Sequence, residues 1–185
     1  MKGWFGGRRA AAWVGLVVVG CAGATPGNGL HSSRGVQTSL PYSGSSGCGG
    51  TQVITGAGMP TWGSVGAGTI PWTLGQPRDV VAVLFATELV AGGARPDGST
   101  NKILWLTRAP VASNRIMLAA RPVGAEVPVV TQEVPGTQGY EQGRQFPSIV
   151  DLPTPGCWRI DVSGGSLRSG FELNVLASGS LPRRP

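Results

Sequence analysis

Trp158, Ile160 and Val162 alternate with Arg159 and Asp161, and Phe171, Leu173 and Val175 alternate with Glu172 and Asn174. Strict period-two patterning sends one set of side chains to a buried face and the other to water, a division that 3.6 residues per turn cannot produce. Ser163-Gly164-Gly165-Ser166 stands between the two runs. Glycine there supplies the positive φ that tight hairpin turns require, so the two runs are expected to pair antiparallel.

The rest of residues 51–177 is written in the same style. Thr51–Thr55, Ile70–Leu74, Val80–Leu89, Ile103–Arg108, Arg115–Ala120, Val127–Val134 and Ser148–Leu152 are short, branched or alternating runs, and Gly and Pro separate them. Each reads as a strand. Arg95-Pro96-Asp97-Gly98 reads as a further turn. Val80-Val81-Ala82-Val83-Leu84-Phe85 is apolar at every position, the mark of a strand buried on both faces. Many short strands with almost no helical period predict an antiparallel sandwich, and about 125 residues are ample for one core.

The N-terminus has a different character. Lys2, Arg8 and Arg9 precede an apolar run, Ala10 to Val19, that is too short to span a bilayer. This is the layout of a secretory signal. The run ends in Val18-Val19-Gly20-Cys21, which resembles the lipobox of bacterial lipoproteins. The resemblance implies diacylglycerol transfer to the Cys21 thiol, cleavage before it, and acylation of the new amino group. A thiol suits the step because its thiolate is the nucleophile. Several acyl chains would then hold the protein on the outer side of a cytoplasmic membrane, or in a periplasm. Residues 1–20 are thus expected to be a signal peptide. Residues 21–50, dominated by Gly, Ser, Pro, Thr and Asn, form a flexible tether that cannot bury enough apolar surface to order itself. Residues 178–185 read as a disordered tail.

With Cys21 lipidated, Cys48 and Cys157 remain as an even pair in an oxidising compartment, and a disulfide between them is expected. Without Lys2, Arg8 and Arg9 the mature chain keeps twelve basic against nine acidic side chains. The basic residues are scattered, apart from Arg183-Arg184, and no aromatic-laced basic stripe appears, so nucleic acid is not an expected partner.

Lys102-Ile103-Leu104-Trp105, Pro147-Ser148-Ile149 with Leu152-Pro153, Pro155-Gly156-Cys157-Trp158 and the final hairpin together resemble uncharacterised immunoglobulin-like domains of bacterial lipoproteins. The resemblance covers roughly residues 100–177. It implies an immunoglobulin-like form of the sandwich and no activity; Cys157 falls at a variable position of the pattern, so the disulfide is not part of what it implies.

The inventory for catalysis is thin. His31, the one histidine, lies in the tether, which removes a Ser-His-Asp triad or a His-ligated zinc from the folded domain. No Cys-x-x-Cys or phosphate-binding glycine motif occurs, and Gly56, Gly58, Gly63, Gly66 and Gly68 read as loop. No cofactor or metal is expected. Among carboxylates, Glu126, Glu133, Glu141 and Asp151, or Asp161 with Glu172, offer the pairs that glycan hydrolysis would need. Asp161 and Glu172 fall beside Arg159 on the outward face, however, where ion pairing at a sheet surface is the plainer reading. Trp105 and Trp158 sit in apolar strands and belong to the core. Trp62 and Trp72, flanked by Pro and Gly, are candidates for exposed ligand contact, as is Tyr140 in the polar loop Gly136–Arg144. The expected protein is therefore a membrane-anchored, non-catalytic binding or structural module of the cell envelope, whose partner is an envelope protein or a glycan. A carboxylate-dependent glycan enzyme, or a glycan binder, is the alternative.

Overall fold

A computed structural model describes residue 48 and residues 51–56, 58–63, 69–86, 88–95, 98–138 and 143–180. The signal peptide, Cys21, His31, Tyr140, Glu141 and nearly all of the tether lie outside these. In chain order the strands are β1 (Trp72–Leu74), β2 (Val80–Leu84), β3 (Leu89–Val90), β4 (Lys102–Thr107), β5 (Arg115–Pro122), β6 (Val130–Pro135), β7 (Gln145–Ile149), β8 (Gly156–Gly164) and β9 (Leu167–Leu176). They make a four-stranded sheet, β1-β2-β4-β7, and a five-stranded sheet, β3-β9-β8-β5-β6. A single 3-10 turn, Thr61–Gly63, is the one helical element among the described residues.

The chain is an all-β sandwich, and its strand order follows from where each crossover goes. The hairpins β5–β6 and β8–β9 stay within one sheet, whereas β4 to β5, β6 to β7 and β7 to β8 each cross to the other. Such crossings make the Greek-key connectivity of an immunoglobulin-type sandwich. The β8–β9 pair matches the sequence reading: Trp158 faces Leu173 and Ile160 faces Phe171 across the ladder, and Gly164 pairs with Leu167 around a two-residue turn. Gly165 in that turn has φ 58°, which a side chain would resist.

Two expectations are corrected. The run Val80–Leu89 is two strands. β2 pairs antiparallel with β4, and the chain then crosses to the other sheet, where β3 pairs parallel with the end of β9. The sandwich is therefore mixed at that edge. The unbroken apolar start Val80–Phe85 hid the break, because β2 and β3 are both buried and neither shows a period, while Phe85, where the chain leaves β2, is exposed. Thr51–Thr55 forms no strand; it makes one isolated bridge, Ile54 to Trp72.

Inward-facing residues of both sheets make the main core, with Trp105, Phe146, Trp158 and Phe171 as its largest members. Trp105 meets Phe171 edge-on, with ring centroids 5.3 Å apart, a favoured aromatic geometry. Both indoles are satisfied: Trp105 Nε1 donates to Ser148 Oγ at 2.8 Å and Trp158 Nε1 to the Thr154 carbonyl at 2.9 Å. A second apolar cluster, Trp72, Val81, Val83 and Leu106, lies on the outer face of the four-stranded sheet under Ile54, Met59, Trp62 and Ile70. The described residues 51–63 together with Ile70 thus form a cover, which is why β2 is buried on both faces.

Candidate functional site

Alternation along β8 turns Cys157 to the outer face of the five-stranded sheet, and there it is bonded to Cys48, with Cα atoms 5.3 Å apart. The separation lies in the ordinary range for a disulfide. From Cys48 the chain is fastened step by step to the sandwich. The Glu172 amide donates to Thr51 Oγ1 at 2.7 Å, Thr73 Oγ1 donates to the Gln52 carbonyl at 2.9 Å, and Ile54 and Trp72 exchange backbone hydrogen bonds at 2.8 Å. Gln76 and Gly170 exchange a second such pair. With β3 at Val175 and Leu176, these contacts close the edge of β9 that would otherwise be free to pair with another chain.

Beside the disulfide, on the same outer face, lies a charged row. Register places Arg121 of β5 opposite Arg159 of β8, and Arg159 opposite Glu172 of β9. Asp161 accepts from Arg121 Nη1 at 2.6 Å and from Arg159 Nε at 2.9 Å, and Arg159 Nη1 reaches Glu172 at 3.3 Å. Two like charges face each other across the ladder, and Asp161 joins them. Gly170 leaves the room: a Cβ there would stand 2.2 Å from an Arg159 guanidinium nitrogen. The hydrogen bond that Arg159 donates to Asp161 holds the Arg159 pKa above its ordinary value, against partial burial. For Asp161, burial pushes upward, but hydrogen bonds and charge from Arg159 and Arg121 together outweigh it, and its pKa falls below the carboxylate norm. These carboxylates are occupied by arginines.

The candidate aromatic contacts are corrected in part. Trp72 is only 3 % exposed; it lies in β1 within the outer apolar cluster, where its Nε1 donates to the Gly56 carbonyl at 3.3 Å. Proline and glycine beside it mark the cover folding over it, not exposure. Trp62 is half-buried in the same cluster. Both are on the four-stranded sheet, so Asp161 and Glu172 face away from them.

The polar loop that carries Tyr140 is anchored by Asn114. Asn114 Oδ1 accepts from the Gly143 amide at 2.9 Å, and the Asn114 backbone carbonyl accepts from the Gly136 amide at 2.9 Å. Asn114 has φ 49°, a left-handed conformation that asparagine tolerates better than most residues. The opposite end of the sandwich from Cys157 holds a shallow cleft of about 460 Å³ with Asp79, Arg108, Val111 and Leu167 on its walls. No group of three or more His, Cys, Asp or Glu able to hold a metal occurs among the described residues.

Asn101 carries no signal in the sequence beyond that of a loop residue before β4. Its side chain is fully buried: Oδ1 accepts from the Val90 amide at 3.0 Å, and Nδ2 donates to the carbonyls of Val90 at 2.7 Å and Val150 at 3.1 Å. It ties the end of β3 to the start of β4 and the end of β7, next to the disulfide-bearing end. Fold and site thus define a β-sandwich whose N-terminal segment is covalently fixed to a central strand. No family model, no curated protein and no solved structure matches the chain.

Proposed function

We propose that the chain is an exported lipoprotein whose sandwich is held at a membrane through Cys21 and serves the cell envelope as a binding or structural module, without substrate turnover. The observation that carries this reading is the arithmetic of its three cysteines. Cys48 and Cys157 are joined to each other. Cys21, behind a basic and apolar leader, is then the thiol left for lipid. A disulfide also suits an oxidising compartment. The non-catalytic part of the reading draws support from Asp161 and Glu172, which are engaged by arginines and face away from Trp62 and Trp72. Expression of the full chain in a bacterial host followed by membrane fractionation tests the anchor. The wild type is expected in the membrane pellet and Cys21→Ser in the soluble fraction; Cys21→Ser remaining in the pellet would refute it.

A further inference from the structure

Among the described residues, five of the six exposed large apolar side chains lie at one end of the sandwich. Phe85, Val123, Val127, Val129 and Ile149 are all exposed, Val127 the most at 73 %. Topology puts them together. Val123 to Val129 form the β5–β6 turn, where β5 ends and β6 begins, and Val123 donates its amide to the Cys157 carbonyl at 2.8 Å. Phe85 follows β2, and the Phe85 amide donates to the Lys102 carbonyl at 3.1 Å, while Ile149 pairs with Lys102 across β4 and β7. Asn101 and Val150 tie these ends to β3, and the Ala91 amide donates to the Leu176 carbonyl at the end of β9. Met117, the sixth exposed large apolar residue among those described, lies nearer the other end of β5.

We infer that this end, led by the β5–β6 turn, docks on the lipid surface to which the chain is tethered; the inference rests on the lipid-anchor reading of Cys21. The tether's far end is fixed at this same place, because Cys48 is bonded to Cys157 and Val123 is hydrogen-bonded to Cys157. On the tether reading, the 26 residues 22–47, rich in Gly and Ser, would span roughly 30 Å on average. A nine-residue strand is about 30 Å long, so on average the attachment point favours the disulfide-bearing end at the bilayer, and the exposed apolar turn supplies the rest of the orientation. Tethering of this kind supplies a local concentration on the order of millimolar, so weak apolar contact suffices to orient the domain. Glu126 is the one charged residue in the turn, flanked by Val123, Ala125, Val127, Pro128 and Val129. The turn's contact is therefore apolar and shallow, with Glu126 left among the headgroups. The exposed Lys102, whose ammonium lies 4.8 Å over the Phe85 ring, adds a cation toward them, so added salt weakens the contact only in part. The polar loop anchored by Asn114 and the cleft beside Arg108 lie at the opposite end, clear of the membrane for a partner.

The test uses the full lipidated chain in phosphatidylethanolamine/phosphatidylglycerol vesicles, with an environment-sensitive fluorophore on Val127→Cys or, at the opposite hairpin turn, on Ser166→Cys. A two-fold or greater rise in emission at position 127, quenched by doxyl-labelled lipid, is expected, with no change at position 166. Adding Val123→Asp and Val129→Asp should bring position 127 down to the level of 166 while the protein stays in the vesicle pellet. Protein in the pellet with no rise at position 127 overturns the docking and leaves the anchor standing. Protein absent from the pellet overturns both. A rise at position 127 that persists in detergent together with a dimeric mass assigns the face to a second copy and also overturns the docking.

Discussion

Gly75 shows how much a single missing methyl can decide. A Cβ on it would stand 2.1 Å from Ser169 Oγ and 2.7 Å from the Phe171 ring, which is fully buried. Gly75→Ala is therefore expected to destabilise the domain by about 2 kcal/mol or more, in the range of core overpacking, read as a lowered urea midpoint with unchanged slope. Asn101 acts by hydrogen bonding. Asn101→Asp keeps the shape but loses both donors to the Val90 and Val150 carbonyls and brings a charge into a buried site. It should cost more than Asn101→Ala, itself about 2 kcal/mol from unsatisfied backbone groups; equal midpoints for the two variants would count against this account. Asp161 gives a pH dependence. Its folded pKa is lower than its unfolded one, so its contribution is present above the unfolded value near 4 and is lost as pH falls through the folded value. Because Asp161 is about a third exposed, screening keeps that contribution to about 1 kcal/mol or less. Asp161→Asn should flatten the acid limb of the stability profile, and an unchanged limb would show that other carboxylates set it.

At the scale of elements, the alternation of β8 and β9 could be read residue by residue, because each has one face in the core and one in water. The same rule turned Cys157 outward, as its place beside Trp158 implies. The β2–β3 break could not be read this way: both strands are buried on both faces and so carry no period, and the exposed Phe85 where the chain leaves β2 is as apolar as the strand it follows. Residues 51–63 escaped for the opposite reason. They pair with the sandwich through scattered single contacts, which have no period either. This segment depends on the disulfide for its position. Replacing Cys48 and Cys157 by serine should raise amide exchange at Ile54 and Trp72, whose mutual hydrogen bonds hold the cover, more than in the β8–β9 ladder. Uniform loss of protection would mean that the bond supports the whole sandwich. For a closed loop of this size, 109 residues apart, the chain-entropy argument gives a total on the order of 4 to 5 kcal/mol.

For the whole molecule, the sandwich has two differently finished faces and two differently finished ends. One outer face carries the disulfide and the Arg121–Asp161–Arg159–Glu172 row; the other is covered by the described residues 51–63 with Ile70. One end carries exposed valines and the fixed end of the N-terminal segment; the other carries the β8–β9 turn and a shallow cleft. This polarity is what the proposed lipid docking uses. The sequence by itself determined the all-β class, the β8–β9 hairpin and the aromatic core of Trp105 and Trp158, because alternation is a local property; with Cys21 set aside for lipid, it also pointed to the pairing of Cys48 with Cys157. Tertiary structure decided the crossing between β2 and β3, the burial of Trp72 under its cover, the addition of Arg121 to Asp161, and the gathering of Phe85, Val123, Val127, Val129 and Ile149 at one end. Each of these depends on which residues meet across tens of positions of chain, and that is set by packing between sheets, which no local pattern encodes.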